Sequence, residues 1–111
     1  MTKQNQLKEL IIAQLKQKLG KVKQDIELVK EPPPELKITS YGMTVGYIDI
    51  ITESELTENR INLWKEAVKK GEKLTIIVPK EQKLKITELL WKEGVAEKIS
   101  IGTYELTLLL P

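Results

Sequence analysis

Residues 44–51 read Thr-Val-Gly-Tyr-Ile-Asp-Ile-Ile, and this stretch decides the fold. Alternate residues of a strand point to opposite faces, and both faces of this stretch carry isoleucine. A strand that is apolar on both faces is buried on both sides, which predicts a position in the middle of a sheet covered by helices. One face carries Val45, Tyr47, Asp49 and Ile51, and the other carries Gly46, Ile48 and Ile50.

The residues before this stretch predict one helix and an antiparallel meander. Lys3 to Leu19 has leucine and isoleucine at three- and four-residue spacing, which predicts an amphipathic helix with Gly20 in the C′ position. Val22 to Val29 alternates loosely and predicts a short edge strand. Leu36 to Tyr41 alternates clearly, and Gly42-Met43 is predicted to form the turn into the central strand.

The residues after the central strand predict alternating helices and strands. Helices are expected from about Glu55 to Lys70 and from about Glu81 to Glu93, with strands over Leu74–Val78 and Val95–Ile101. Gly102 is expected to be a bulge or a turn before a further alternating stretch, Tyr104 to Leu110. A strand–helix–strand–helix–strand run favours parallel crossovers.

The whole chain, residues 1–111, is therefore predicted to be a single α/β domain. We expect a mixed sheet of four to five strands flanked by three helices, in the order α-(β)-β-β-α-β-α-β. With 111 residues, the chain is long enough to bury a core without disulfides. Thr52, Ser54 and Thr57 can each cap the second helix, and Thr52 with Glu55 has the spacing of a capping box.

Composition excludes several kinds of chemistry. The sequence has no cysteine and no histidine, which excludes thiol nucleophiles, thiolate zinc sites and histidine-based triads. The formal charge is only +2, and Arg60 is the sole arginine among 18 basic residues. Arginine provides the bidentate contacts that nucleic-acid readers use, so a lysine-rich surface of mixed sign indicates solubility first.

No feature of the sequence predicts a membrane or a secretory location. The N-terminus, Met-Thr-Lys-Gln-Asn-Gln, lacks the apolar core of a signal peptide. No apolar run approaches the length that spans a bilayer. We therefore expect a cytoplasmic protein without a membrane partner.

Three phrases carry a resemblance to a known family. Residues 46–51 read Gly-Tyr-Ile-Asp-Ile-Ile, residues 67–71 read Ala-Val-Lys-Lys-Gly before the strand 74–79, and residues 89–95 read Leu-Leu-Trp-Lys-Glu-Gly-Val. Together with the element order, they resemble the restriction-endonuclease-like, or PD-(D/E)xK nuclease-like, superfamily. The resemblance implies a core of helix, three-strand meander, helix, strand, helix and strand, with an aspartate on a central strand.

The sequence departs from that family at the motif that carries its chemistry. The resemblance implies a metal-binding aspartate, followed on the next strand by an acidic residue and a lysine two positions later. Two residues after Asp49 stands Ile51, and the acidic-any-lysine triplets at 35–37 and 81–83 lie outside the required context. The resemblance therefore implies a degenerate member. The resemblance also implies that Glu9 corresponds to the glutamate of the first helix that assists metal binding. The alternative is that Glu9 is a solvent-exposed charge of the helix.

Asp49 is the most informative residue of the chain, because a carboxylate inside an apolar strand must be paired or bound to a metal. It is predicted to be a magnesium ligand, a hydrogen-bonded acid, or the partner of a lysine on the neighbouring strand such as Lys37. Glu53 is predicted either to join a carboxylate cluster with Asp49 or to interact with the dipole at the start of the second helix.

These residues leave three functions open. The favoured one is a non-catalytic protein with a nuclease-like fold that acts by protein contacts or weak nucleic-acid binding, without a cofactor. The second is a metal-dependent nuclease in which Asp49, Glu53, Glu9 and a migrated lysine such as Lys37 form the site and hold magnesium. The third is a homo-oligomerisation module, because the apolar tail 106–111 must be buried in the sheet or against another subunit. We expect a homodimer.

Overall fold

The computed structural model describes residues 3–29, 36–52 and 55–105. Three helices and five strands make up the described chain. In chain order they are α1 (Lys3–Gly20), β1 (Asp25–Leu28), β2 (Leu36–Ser40), β3 (Met43–Ile50), α2 (Glu58–Lys69), β4 (Leu74–Pro79), α3 (Lys83–Lys92) and β5 (Ile99–Tyr104). A single 3₁₀ turn, Lys80–Gln82, connects β4 to α3.

The strands form one mixed sheet in the spatial order β1-β2-β3-β4-β5. The first three strands are an antiparallel meander, whereas β3, β4 and β5 are mutually parallel. Because β3 is the third of five strands, the central position predicted for residues 44–51 is confirmed. The predicted α/β class, with a mixed five-stranded sheet and three helices in this order, is confirmed as well.

Helix α1 covers one face of the sheet. Its apolar stripe packs on a cluster centred on β2 and β3, with Ile77 of β4 at its border. The buried members are Ile26, Leu36, Ile48, Ile50 and Ile77, and α1 contributes Ile11, Ile12, Leu15 and Leu19.

Helices α2 and α3 cover the opposite face. They enclose the larger core cluster, in which Trp64 of α2 and Leu90 of α3 are fully buried over β4. The remaining buried members are Ile51, Ile61, Ala67, Leu74, Ile76, Val78, Ile86, Val95 and Ile99. The sheet is thus the middle of three layers, and Asp49, on the same face as Tyr47 and Ile51, points into the layer that α2 and α3 occupy.

The β2–β3 turn and the end of α1 differ from their predicted positions. The hairpin between β2 and β3 turns at Tyr41-Gly42, with φ of 52° and 81°, so Met43 belongs to the strand rather than to the turn. Positive φ at both central residues is the type I′ conformation that suits the twist of a two-residue hairpin. Gly20 is the last residue of α1 rather than its left-handed cap, and Lys23 carries the positive φ of 59°.

Two predicted element boundaries were also wrong. Helix α2 begins after Thr57 rather than at Glu55, because the hydroxyl of Thr57 accepts the Arg60 amide and caps the helix there. Strand β5 begins at Ile99 rather than Val95, and it runs straight through Gly102, which is neither a turn nor a bulge. The predicted strand from Tyr104 to Leu110 lies, beyond residue 105, outside the described residues.

Helix length and composition also bear on membrane insertion. Among the described residues, every helix is too short or too polar to cross a lipid bilayer.

Substitution of glycine by alanine should have opposite effects on stability at Gly20, the last residue of α1, and at Gly71, which follows α2. Gly20→Ala should raise the free energy of unfolding by about 0.5 kcal/mol, because the residue is helical and its Cβ meets no atom within 4 Å. Gly71→Ala should lower it by about 1 kcal/mol, because the φ of 83° disfavours a side chain. Urea unfolding measures both, and stabilisation by Gly71→Ala would contradict the left-handed helix end.

Candidate functional site

Asp49 forms a buried ion pair with Arg60. Its side chain is 0% exposed, and that of Arg60 is 14% exposed. Nε of Arg60 donates to Oδ2 at 2.8 Å, and Nη2 donates to Oδ1 at 2.6 Å, so the contact is bidentate. The indole Nε1 of Trp64 donates to Oδ2 at 2.6 Å. Both carboxylate oxygens are therefore hydrogen-bonded, and a guanidinium balances the buried charge.

The start of α2 places these two donors. Thr57 caps the helix and fixes Arg60 in its first turn. Trp64 follows four residues later, which puts it on the same side of the helix one turn further on. Helix α2 lies over β3 and β4, so both donors of this side reach the one carboxylate that β3 presents to it.

A second carboxylate extends the pair into a network. Oε2 of Glu55 accepts a hydrogen bond from Lys8 of α1 at 2.8 Å and lies 3.7 Å from Nη1 of Arg60. The backbone amide and hydroxyl of Thr52 donate to Oε1 of Glu55 at 2.9 and 3.0 Å. The contact predicted between Thr52 and Glu55 is thus present, although it closes a turn before α2 rather than capping the helix. Lys8, Glu55, Arg60 and Asp49 connect α1, the β3–α2 connection, α2 and β3.

The network shifts the ionisation of Glu55. Burial alone would raise the pKa of Glu55, but the hydrogen bond and charge of Lys8 and the two hydrogen bonds from Thr52 together hold this pKa below its ordinary value. Glu55 is therefore an ionised acceptor near neutral pH. Because both oxygens of Glu55 accept hydrogen bonds, Glu55 anchors α1 to the β3–α2 connection.

Two other predicted site residues, Glu9 and Lys37, lie apart from Asp49. Glu9 is exposed on α1. Lys37 lies opposite Tyr47 in the β2–β3 register, and its ammonium is 3.4 Å from Glu27 of β1. Glu53 lies outside the described residues, as does the expected pairing of Glu53 with Asp49. The cation that meets Asp49 is Arg60, not Lys37.

Magnesium is usually bound by one or two protein carboxylates together with water or substrate phosphates. Across residues 3–29, 36–52 and 55–105, no three acidic side chains converge so that they could hold an ion together. The hypothesis of a magnesium site at Asp49 and Glu53 thus stays a prediction that depends on Glu53.

Two surface clefts lie elsewhere. One of about 280 Å³ lies at the amino end of the parallel strands and contains Gly46, Lys73, Thr75 and Ser100. The other, of about 580 Å³, lies between α2 and the loop after α3 and contains Lys65, Lys69 and Lys98. Asp49, Arg60, Glu9 and Lys37 line neither of them.

Sequence reasoning identified Asp49 but not its partners. One feature of the sequence indicates the partner of Asp49. Arg60 is the sole arginine, and it lies near the start of the helix that follows the strand of Asp49. Trp64, four residues on, has the helical spacing of a core residue, and nothing in the sequence indicates its polar contact.

Comparison with known proteins gives no relative: no protein family, curated protein or solved structure matches this chain.

Loss of the carboxylate should destabilise the fold strongly. Asp49→Asn removes the charge that balances Arg60 and should lower the free energy of unfolding by about 3 kcal/mol or more. Lys37→Gln breaks only the exposed pair with Glu27 and should cost less than about 1 kcal/mol. Urea unfolding of the single variants and of Asp49→Asn with Arg60→Met measures the coupling; additive costs would contradict the pair.

Acid should weaken the same region. The pKa of Glu55 is lowered by folding, so its contribution is complete well above 4.5, the ordinary value, and is lost as pH falls through the lower folded value. Stability should therefore fall as pH decreases below about 4.5. Glu55→Gln should reduce that dependence, whereas Glu9→Gln, a change at an exposed carboxylate of α1, should leave it. An unchanged pH profile in Glu55→Gln would contradict the anchoring role.

Proposed function

We propose that this chain is a non-catalytic domain, with a restriction-endonuclease-like core, that acts through contacts with protein. The observation that carries the proposal is the state of the Asp49 carboxylate. Both of its oxygens accept hydrogen bonds, from Arg60 and from Trp64, inside a closed layer. The position at which the family resemblance implies a metal ligand here carries an ion pair.

Metal-assisted hydrolysis needs a carboxylate with an oxygen available to the ion and to its water. An ion at Asp49 would have to displace the guanidinium of Arg60, which lies 2.6 Å away and is itself largely buried. Displacement would break the bidentate contact between two largely buried charges, at a cost of several kcal/mol. The ion pair therefore favours a structural role for Asp49 over the metal-dependent nuclease, which is retained as the alternative.

Protein contact is favoured over nucleic-acid contact by two observations. The sole guanidinium of the chain pairs with Asp49 and is largely buried, so little of it is exposed to contact a phosphate. Several large apolar side chains are exposed instead, and they include Trp91, 59% exposed on α3. Tryptophan is among the residues most enriched at the energetic centres of protein interfaces.

Weak nucleic-acid binding is the second candidate, and one surface favours it. Four exposed lysines surround the end of α1 and the turn that follows it: Lys16, Lys18, Lys21 and Lys23. Lysine side chains neutralise phosphates without reading sequence, so binding there would be non-specific and sensitive to salt.

A native gel separates these functions. The protein is incubated with labelled single-stranded, duplex and branched DNA and with RNA, with magnesium or manganese, at low and moderate salt. We expect no cleavage and no salt-resistant shift. Metal-dependent cleavage that is lost in Asp49→Asn, under conditions where that variant is folded, would overturn the proposal in favour of the nuclease.

Matched lysine variants make the gel specific. Lys18→Gln, Lys21→Gln and Lys23→Gln together remove three charges at the end of α1, and Lys83→Gln, Lys85→Gln and Lys92→Gln remove three exposed charges on α3. A salt-sensitive shift that only the first triple weakens would establish the second candidate. Loss of the shift in both triples would indicate attraction by net charge alone.

A further inference from the structure

The cleft of about 280 Å³ at the amino end of the parallel strands lies on the face of the sheet that α1 partly covers. Ile48 and Ile77 point to this face and belong to the cluster under α1. Gly46 and Thr75 each precede one of them by two residues, so they point to the same face. Ser100 lies opposite Thr75 in the β4–β5 register. Gly46, Thr75 and Ser100 thus form the base of the cleft, beside that cluster rather than within it.

Gly46 keeps the base of the cleft open, and the fold itself does not require a glycine there. Its φ lies outside the left-handed region, and an added Cβ would make only ordinary contacts, 3.4 Å from the carbonyl oxygen of Lys73 and 3.8 Å from Cδ1 of Ile38. A glycine inside a strand weakens the strand, and it often marks a place where a ligand approaches the backbone closely. A methyl group at this position would occupy the cleft.

Four polar side chains from separate parts of the chain line the same cleft: Gln24, Lys73, Thr75 and Ser100. Across the described residues, none of these four side chains has a hydrogen-bond or ion-pair partner. The backbone oxygen of Lys73 accepts the Tyr47 amide at 2.7 Å, which holds this lysine against β3. An amide, an ammonium and two hydroxyls can all donate hydrogen bonds. We call this arrangement the Gly46 cleft (Gln24, Gly46, Lys73, Thr75 and Ser100).

The charges around the Gly46 cleft favour an anion. In the described part of the chain, the residues that line it include the cation Lys73 and no carboxylate. Lys21 and Lys23 are exposed in the turn that leads to the cleft from α1, and they add positive potential on its approach. Asp25 and Glu72 are sequence neighbours of the lining residues but lie outside the lining. Asp25 also accepts a hydrogen bond from the backbone amide that follows it.

We propose that the Gly46 cleft binds the phosphate group of a small phosphorylated molecule. A phosphate monoester offers three strong acceptor oxygens and carries most of two negative charges, which suits a site of four donors with one ammonium. The cleft is slightly below the roughly 300 Å³ at which ligand pockets begin, so it fits a phosphate and a small organic group. This inference goes beyond the proposed contact with protein and does not depend on it.

A titration of the ¹⁵N-labelled full chain, followed by amide chemical shifts, tests the proposal. The probes are inorganic phosphate and ribose 5-phosphate, each raised to millimolar concentration at an ionic strength held constant with sodium chloride. We expect saturable shifts that are largest at residues 24, 46, 73–75 and 100. Ribose 5-phosphate should bind more tightly than inorganic phosphate, because its sugar fills the rest of the cleft.

Two variants and two matched controls make the titration specific. Lys73→Gln should raise the dissociation constant at least about tenfold, because it removes the charge-assisted hydrogen bond. Gly46→Ala should raise it by a similar factor through the added methyl group, while the urea midpoint stays at or above that of the wild type. Lys69→Gln removes an exposed lysine that lies outside the Gly46 cleft, and Gly20→Ala adds a methyl group that meets no atom within 4 Å. Both controls should leave the dissociation constant within about twofold.

Three results would overturn the inference. The first is the absence of a saturable shift with either probe beyond the effect of sodium chloride. The second is equal weakening by Lys69→Gln and Lys73→Gln, which would indicate attraction by net charge alone. The third is a response of these amides to a single-stranded oligonucleotide but to neither small probe, which would assign the cleft to nucleic acid. If Gly46→Ala lowers the urea midpoint, Ser100→Ala replaces it, and unchanged binding in both Ser100→Ala and Lys73→Gln contradicts the site.

Discussion

A carboxylate on the central strand of a sheet covered on both faces imposes the main constraint on this molecule. Asp49 is fully buried among apolar side chains, and an unbalanced charge there would be incompatible with folding. Its balance comes from Arg60, eleven residues along the chain, so the carboxylate determines where α2 must begin and how it must be rotated. Trp64 completes the contact and at the same time forms the largest fully buried side chain of the core. Polar pairing and apolar packing of α2 are therefore fixed by the same turn of helix.

The constraint reaches the other side of the sheet through Glu55. Helix α1 packs on the face opposite to α2, and the two layers share few direct contacts, yet Lys8 and Arg60 both approach one carboxylate of Glu55. The network of side chains from Lys8 to Asp49 thus passes around the end of β3 and connects all three layers. A network of this kind gives specificity to the arrangement of layers more than it adds to net stability, since ion pairs with buried members recover little beyond their own desolvation.

The sequence predicted the fold well where a local pattern decides it and less well where a tertiary contact decides it. Apolar residues on both faces of residues 44–51 were enough to place β3 at the centre, and helix–glycine–strand spacing was enough for α2, β4 and α3. The start of α2 could not be predicted, because Thr52 and Thr57 both have the character of a cap and Thr57 is the residue that lets Arg60 face Asp49. Gly102 was misread because a glycine inside a strand usually marks a bulge, whereas here it lies against Ile77, whose Cδ1 is 2.8 Å from the position of a Cβ. For the candidate site, the strand pattern identified Asp49 as a buried charge, but no spacing rule connects a strand aspartate to an arginine in the next helix.

The closure of this polar centre shifts attention to the surface of the domain. Because Arg60 and Trp64 donate to both oxygens of Asp49, this carboxylate is already occupied by partners from the chain itself. The described surface instead exposes several large apolar side chains, among them Leu84 and Trp91 on α3. Exposed apolar side chains of this kind favour contact with protein, since tryptophan is enriched at the energetic centres of protein interfaces.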